Sequence, residues 1–363
     1  MKLFTGRRAW LNRACYSHRL CSGLRCGFGF WLLLGLWLSA TEAYAVSMQA
    51  ADAPAAKEYK RELVVALDGS GDYTSLNEAM EGIRAFMDYR VTVHIRKGVY
   101  REKWVVPSWI ENVDFIGESA DETIITYADH ANIRAMGTFR TYTLKVEGSG
   151  LTFRNLTICN DAEPLGQAVA LHTEGDRLLF IHCRFLGNQD TVYTGAASTR
   201  LYFKDCYIEG TTDFIFGPAT ARFDECRLHS KANSYITAAS TPHDVRAGYL
   251  FYRCRLTAAE GVDKVYLGRP WRPYAFTYFI ACEMGSHIRP EGWHNWRDPA
   301  NERTARYGEY GSTGAGASGA MQQRVAWARR LTEEEVKRCL NLDWFFGRSD
   351  FWHLDESQMQ QLR

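Results

Sequence analysis

The sequence carries almost no net charge, because 43 lysine and arginine residues are balanced by 42 aspartate and glutamate residues. Six of the basic residues and one of the acidic residues lie within positions 1–45, so the rest of the chain has 37 basic and 41 acidic residues. No basic excess indicates a nucleic-acid partner. An anionic substrate would therefore have to be held by individual arginine side chains.

Metal-binding patterns are also missing. The ten cysteines form no paired C-x-x-C motifs, and no histidines cluster at the spacing of zinc ligands. We therefore expect no metal site.

A membrane-spanning segment is missing too, since the apolar segment Phe28–Leu38 has only eleven residues and is too short to cross a bilayer comfortably. Basic residues precede it, and Ala43-Tyr44-Ala45 follows it with the small-residue pattern of a cleavage site. This arrangement predicts a signal peptide over residues 1–45 and a secreted or periplasmic protein, free of the membrane after cleavage. A retained anchor is the alternative.

A short sequence motif, by contrast, recurs six times between residues 153 and 284. In each copy an aromatic residue is followed three positions later by an apolar residue or cysteine, and two positions after that by another apolar or aromatic residue. The copies begin at Phe153, Phe180, Phe203, Phe223, Phe251 and Phe279, in steps of 27, 23, 20, 28 and 28 residues. Self-similarity at this period predicts a solenoid, in which each unit buries its apolar edge against its neighbours.

Strand-like segments decide which solenoid is expected. Val91–Ile95 and Arg200–Phe203 alternate or run apolar as strands do, and the Leu-x-x-Leu-x-Leu phrases of a leucine-rich horseshoe are absent. The sequence therefore predicts an all-β chain folded as a parallel β-helix. An antiparallel sandwich with coincidental repeats is the alternative.

Helical patterns near both ends would cover the open edges of the solenoid. Ser75–Glu78 reads as a capping box, which predicts a short N-terminal capping helix near residues 75–88, and Leu331–Val336 begins a second helix. Gly311–Gly319 is either a loop along the solenoid surface or a disordered linker. The predicted organisation is a signal peptide (1–45), a linker (46–61), a β-helix domain (62–320) and a helical C-terminal tail packing on it (321–363).

Seven cysteines remain after the predicted cleavage, and five of them occupy the same position of the repeat: Cys183, Cys206, Cys226, Cys254 and Cys282. Stacked positions in adjacent coils lie about 4.8 Å apart, within the range of a disulfide. Buried cysteines also serve as small apolar filler. If one disulfide forms, Cys206–Cys226 is the expected pair.

Two aspartates share a column of the predicted solenoid. Asp190 lies seven residues after Cys183, and Asp213 lies seven residues after Cys206. Tyr193 and Phe216 follow in a neighbouring column. Aspartates in β-solenoids often have only a structural role at turns, which is the alternative for each residue alone.

The paired aspartates suggest a chemistry. Two close carboxylates cannot both ionise easily, so one pKa should rise, while Arg269, about two coils away, should hold the other down. A protonated acid beside an ionised nucleophile suits covalent catalysis. Gln167 and Gln189 could donate to an oxyanion, which favours acyl transfer over cleavage of a sugar acetal.

Ordered phrases give the chain a resemblance to the pectinesterase (pectin methylesterase) family of carbohydrate esterases, from about Val64 to Trp344. The phrases are Gln167-Ala168-Val169-Ala170-Leu171, Gln189-Asp190-Thr191, Gly210-Thr211-Thr212-Asp213-Phe214-Ile215-Phe216-Gly217, Leu267-Gly268-Arg269-Pro270-Trp271 and Glu291-Gly292-Trp293. The resemblance implies a right-handed parallel β-helix, methylated homogalacturonan as the partner, a monomer, and no metal or cofactor.

Residue roles follow from the same resemblance. Asp213 would be the nucleophile, Asp190 the acid and later the base, and Arg269 the group that orients Asp213. The two glutamines, Gln189 and Gln167, would stabilise the oxyanion. The groove for the galacturonan chain would be lined by Tyr193, Phe216, Trp271, Trp293 and Thr143.

Two other classes remain open at this point. A pectate lyase or a glycoside hydrolase could use the same solenoid, because a fold does not dictate a function. A lyase would need a calcium-binding carboxylate cluster, which the sequence does not show, and a hydrolase would not need paired glutamines. The third reading is a non-catalytic carbohydrate-binding surface protein.

Overall fold

The computed structural model describes residues 59–317 and 322–347. The predicted signal peptide (1–45), most of the predicted linker (46–61) and the end of the predicted tail beyond residue 347 lie outside the described residues. Among the described residues, no helix is long and apolar enough to cross a membrane.

The described chain winds through three parallel sheets, which are the walls of a β-helix. The long sheet consists, in spatial order, of β1 (Glu62–Val65), β2 (Val91–Ile95), β5 (Val113–Gly117), β8 (Leu151–Arg154), β11 (Leu178–Ile181), β14 (Arg200–Lys204), β17 (Thr220–Asp224), β20 (Tyr249–Tyr252), β23 (Phe276–Ile280), β25 (Arg306–Tyr310) and β26 (Arg329–Arg330). The third sheet consists of β3 (Gly98–Tyr100), β6 (Thr123–Tyr127), β9 (Thr157–Asn160), β12 (Arg184–Leu186), β15 (Tyr207–Gly210), β18 (Arg227–Ser230), β21 (Arg255–Ala258) and β24 (Glu283–Met284).

The remaining sheet, called here the site sheet, is shorter. It consists of β4 (Trp104–Val106), β7 (Leu144–Val146), β10 (Leu171–Thr173), β13 (Val192–Thr194), β16 (Ile215–Gly217), β19 (Tyr235–Ala239) and β22 (Tyr266–Gly268). The coils that contain Cys183 and Cys206 pair in parallel in all three sheets, so the antiparallel alternative is wrong.

A continuous stack of phenylalanine rings fills the interior. The six repeat phenylalanines lie face to face on successive long-sheet strands, with ring centroids 4.5–5.1 Å apart and interplanar angles of 11–15°. Phe115 extends the stack by one coil, 5.0 Å from Phe153. The repeat phrase therefore marks the buried face of the long sheet.

The chain turns from the long sheet to the third sheet at one residue per coil. That residue has a positive φ between 50° and 57° in six successive coils, at Asn155, His182, Asp205, Glu225, Arg253 and Ala281. Each precedes the cysteine or leucine of the repeat, so the left-handed residue turns the next side chain back into the core.

The structure shows no disulfide between Cys206 and Cys226, the pair expected if one formed. All seven cysteines of the described residues are free, and the repeat thiols donate to backbone carbonyl groups instead. The Sγ of Cys206 lies 3.4 Å from the carbonyl oxygen of Phe180, and the Sγ of Cys226 lies 3.6 Å from that of Phe203. The cysteines are therefore small apolar filler whose polar hydrogen already has a partner.

The N-terminal helix is shorter than predicted. The helix α1 (Leu76–Gly82) begins at the N-cap Ser75, whose side chain accepts from the backbone N–H of Glu78, but Ile83 is already extended. A Cβ at Gly82 would lie only 1.7 Å from the hydroxyl oxygen of Tyr73, so this close approach requires glycine. Glycine is a poor helix former, which explains why the helix stops there.

The C-terminal segments cover the outer face and the end of the solenoid. The helices α2 (Glu333–Leu340) and α3 (Leu342–Phe346) pack on apolar residues of the long sheet such as Leu250 and Tyr278, and the capping box of α2 is complete. The described part of the glycine-rich segment lies against β24, where the carbonyl of Thr313 accepts from the N–H of Met284 at 2.8 Å. Short 3₁₀ turns occur at Ile133–Ala135, Thr138–Arg140 and Asn301–Arg303.

Candidate active site

The two aspartates of the predicted column each lie two residues before a strand of the site sheet, and the two strands are neighbours. Val192 and Tyr193 of β13 pair with Ile215 and Phe216 of β16, so Asp190 and Asp213 lie one coil apart. Their backbone N–H groups continue the ladder to the carbonyls of Thr212 and Tyr235, at 3.0 and 2.8 Å.

Both aspartates have a left-handed backbone, with φ of 67° at Asp190 and 49° at Asp213. Aspartate tolerates this region better than most residues. Strained residues of this kind cluster at functional sites.

Arg269 reaches Asp213 from two coils away. It follows β22 directly, and its backbone N–H donates to the carbonyl of Thr237 at 2.9 Å. Its guanidinium holds both carboxylate oxygens of Asp213, with Nε 3.0 Å from Oδ1 and Nη2 2.6 Å from Oδ2. A two-pronged arginine contact of this kind is strong and fixes the plane of the carboxylate.

Burial and charge separate the two carboxyl groups. Asp190 is 8% exposed, and burial together with the nearby charge of Asp213 raises its pKa well above the ordinary value. Burial also raises the pKa of Asp213, while Arg269 lowers it without reversing the shift. We expected Arg269 to hold the pKa of Asp213 down, and its effect has that direction, but burial is larger.

A pocket of about 260 Å³ opens above the two aspartates. Its lining includes seven of the ten predicted site residues, namely Gln167, Gln189, Asp190, Asp213, Phe216, Arg269 and Trp271. Gln167 and Gln189 are half-buried, and in the described part of the chain neither side-chain amide has a hydrogen-bond partner. Free donors beside a buried acid and an arginine-held carboxylate make a site suited to acyl transfer.

The family model of the pectinesterases, whose description reads "Pectinesterase", matches residues 62–342. The chain belongs to the pectinesterase family. It is 38% identical over 288 residues to Pectinesterase 31 of Arabidopsis thaliana, which covers 75% of this chain and 88% of that protein. As a member of this family, the protein is a carboxylic ester hydrolase.

Solved structures resemble this pectinesterase as well. The pectin methylesterase from carrot is 31% identical, with a TM-score of 0.75 over 83% of this chain and 95% of that chain. A pectin methylesterase in complex with a hexasaccharide is 26% identical, with a TM-score of 0.68 over 79% and 97%. These likenesses confirm the predicted right-handed parallel β-helix.

An aromatic row runs along the site sheet of the pectinesterase. Tyr193 does not line the pocket itself but lies 4.9 Å from Phe216 between ring centroids, and Phe216 lies 6.0 Å from Trp271. His172 lies 4.8 Å from Tyr193 but is only 3% exposed, and Phe216 is only 4% exposed. The partly exposed rings of Tyr193 and Trp271 are therefore the ones that offer stacking surfaces for a chain of sugars.

Two residues predicted for the groove are instead buried in the core. Trp293 is 1% exposed and packs between Phe279 and Tyr307, and its indole N–H donates to Glu309 Oε1 at 3.2 Å. Thr143 is fully buried, and its hydroxyl donates to the carbonyl of Cys159 at 2.9 Å. Neither side chain can therefore contact a substrate in the groove.

Four pocket residues were missed by sequence reasoning. Ala238 of β19 pairs with Phe216 and so continues its column. Thr138 and Phe139 come from the 3₁₀ turn before β7, and Trp296 comes from an irregular segment after β24. These last three belong to no repeat, so stacking could not place them. The sequence did offer one signal for Trp296, because it lies three residues after Trp293, which was predicted for the groove. Of these two tryptophans, Trp296 lines the pocket and Trp293 does not.

Within the described residues, no group of three or more histidine, cysteine, aspartate or glutamate side chains could hold a metal ion. Among the residues that line the pocket, the charged ones are Asp190, Asp213 and Arg269.

Proposed function

We propose that this pectinesterase hydrolyses the methyl esters of homogalacturonan, releasing methanol and leaving galacturonate in an intact chain. One observation carries the proposal: a buried, protonatable Asp190 lies one coil from an arginine-held Asp213, and two unpaired glutamine amides line the same pocket. The hexasaccharide complex of a structurally similar pectin methylesterase supports a polymeric sugar substrate.

The first chemical step uses Asp213 as the nucleophile. One of its carboxylate oxygens attacks the ester carbonyl carbon, and the guanidinium of Arg269 keeps the carboxylate oriented for that attack. Asp190 is protonated because its pKa is raised, and it gives its proton to the methoxy oxygen as the C–O bond breaks. Methanol leaves, and the galacturonyl group remains on Asp213 as an anhydride.

Negative charge develops on the carbonyl oxygen during this step. Gln167 and Gln189 line the same pocket, and their amide N–H groups are free to donate to that oxygen. Amide donors that bind this oxygen stabilise the tetrahedral intermediate.

The second step returns the enzyme to its starting state. Asp190, now a carboxylate, removes a proton from a water molecule, and the hydroxide attacks the galacturonyl carbonyl carbon of the anhydride. The bond from that carbon to the Asp213 oxygen breaks, so Asp213 is again a carboxylate and Asp190 again carries a proton. No metal or cofactor enters either step.

The remaining expectations concern the setting of the enzyme. We propose that it is exported, because the polymer that it would hydrolyse is a cell-wall material and the sequence predicts a signal peptide over residues 1–45. We propose that it acts as a monomer, as the family resemblance implies. The aromatic row from Tyr193 to Trp271 would hold the polymer along the site sheet.

Methanol release from methylated pectin tests the proposal. The purified protein should release methanol in step with new carboxylate groups, while the viscosity of the pectin falls little and no unsaturated product absorbs in the ultraviolet. Chain shortening would indicate a glycoside hydrolase, and an unsaturated product would indicate a lyase. Binding without any methanol would favour a carbohydrate-binding surface protein.

The pH dependence should be bell-shaped. Activity requires an ionised Asp213 and a protonated Asp190. As pH falls, activity should drop through the pKa of Asp213, which burial raises from its ordinary value. As pH rises, activity should drop again through the pKa of Asp190, which burial and the charge of Asp213 raise well above the ordinary value. A profile of kcat/KM measured by methanol release checks this, and a flat profile would contradict the paired-carboxylate mechanism.

A further inference from the structure

The guanidinium of Arg269 lies between two aromatic rings. Its Cζ is 3.9 Å from the ring centroid of Tyr235 on one side and 3.7 Å from that of Trp296 on the other. Arginine stacks well on aromatic faces, and rings on both sides restrict tilting of the guanidinium. Since the same group holds both oxygens of Asp213, the two rings help to orient the nucleophile.

Trp296 is held in place by a hydrogen bond from its own backbone. Its N–H donates to Nδ1 of His294 at 3.1 Å, in a turn where Trp296 and Arg297 have φ of 62° and 59°. The backbone N–H of His294 donates to the carbonyl of Gly268 at 3.1 Å, directly before Arg269. His294 therefore ties the irregular segment to the strand from which the arginine projects.

The ring of His294 is itself supported. It lies 5.4 Å from the ring centroids of both Tyr235 and Tyr266, which are stacked on each other at 5.3 Å. The imidazole is thus wedged against one of the rings that sandwiches Arg269, while its Nδ1 holds the backbone of the other.

We propose that His294 is a positioning residue for ester hydrolysis, which fixes Trp296 over Arg269 and so keeps Asp213 oriented. The inference rests on the proposed function of Asp213 and Arg269. His294 does not line the pocket, so it acts through Trp296 and not on the substrate.

This role requires a neutral imidazole, because a protonated Nδ1 cannot accept from the Trp296 N–H. Burial lowers the pKa of His294, and so do the three arginines that face it, Arg269, Arg297 and Arg289. Arg289 is paired with Glu291, and burial raises the pKa of the neighbouring Tyr266 phenol. The surroundings therefore favour the form that can accept.

Two substitutions at one position test the inference. His294→Ala removes the acceptor. His294→Asn restores it without a titratable group, because an asparagine oxygen readily accepts from the N–H two residues ahead. Methanol release from methylated pectin would be measured across pH for both variants and the wild type, after circular dichroism and thermal unfolding confirm that each is folded.

His294→Ala should lower kcat about five- to tenfold, the size expected for one lost neutral hydrogen bond. The fall in its activity at low pH should begin at a higher pH than in the wild type. The reason is that a less restricted Arg269 guanidinium stabilises the Asp213 carboxylate less and so raises its pKa. His294→Asn should have a kcat close to that of the wild type. Its activity should fall on the acid side at a pH no higher than in the wild type.

Three outcomes would overturn the inference. They are a folded His294→Ala variant with wild-type kcat and pH profile, a His294→Ala variant that loses only thermal stability, and a folded His294→Asn variant that restores nothing. A wild type that releases no methanol would instead defeat the proposed function, and the inference with it, so the two failures are distinguishable.

Discussion

Asp213→Asn should nearly abolish methanol release, lowering kcat by about 10⁴-fold or more. The asparagine keeps the shape of the side chain and accepts a left-handed backbone, which Asp213 has with φ of 49°. Its neutral amide cannot attack the ester carbonyl, so no anhydride can form. The expected loss is large because the covalent pathway is removed, while the oxyanion donors Gln167 and Gln189 remain.

A matched control is available within the same coil. Asp205 also has a left-handed backbone, with φ of 51°, but its side chain is 56% exposed and lies on the outer turn beside His182. Asp205→Asn should fold and turn over like the wild type. Both variants should still bind pectin, because the aromatic row is untouched. A folded Asp213→Asn variant with near wild-type turnover would show that Asp213 is only a structural member of its column.

The interior of the fold could be predicted because it is periodic. Each copy of the repeat marks one coil, and the rings of Phe153, Phe180 and their successors stack as the spacing implies. Phe115 was missed although it stacks on Phe153, since Glu118 occupies the place of the cysteine three residues later. The repeat motif that we searched for in the sequence was thus stricter than the stacking of the phenylalanine rings requires.

Cys206 and Cys226 were chosen as the pair for any disulfide from spacing alone, and spacing does not include competing hydrogen-bond partners. Strand stacking places Cys206 and Cys226 one coil apart, yet each thiol can donate to a carbonyl of the preceding coil. Those hydrogen bonds give each S–H group a partner in the orientation that the preceding turn imposes on the cysteine. A bridge would require both sulfurs to turn toward each other.

The site could be predicted where its residues follow strands of the site sheet, and not elsewhere. Asp190 and Asp213 were placed by equal offsets from the repeat cysteines, and the parallel register confirms that placement. Trp293 was placed in the groove wrongly, because it lies in an irregular segment. The direction of its side chain could not be inferred from its distance in sequence to a repeat cysteine. Its neighbour Trp296 turns outward at a positive φ, which the sequence does not reveal.

Asp190→Asn should lower kcat on methylated pectin by about 10²- to 10⁴-fold, the range expected when one general acid and base is removed. The substitution would leave Asp213 and its pairing with Arg269 intact, so attack on the ester remains possible, but methanol would have to leave without a proton. The fall in activity at high pH should disappear in this variant, since that limb reports the deprotonation of Asp190.

A galacturonate ester with a weakly basic leaving group separates the two steps for Asp190→Asn. Such a group departs without a proton, so the anhydride on Asp213 should form quickly and then persist, because no base activates water. Stopped-flow measurement should show a burst of about one leaving group per enzyme molecule, followed by slow turnover, whereas Asp213→Asn should show no burst. If Asp190→Asn gave no burst while retaining its fold and its binding of pectin, Asp190 would be needed before the acyl-enzyme forms, and its assignment as the proton donor to the leaving group would be wrong.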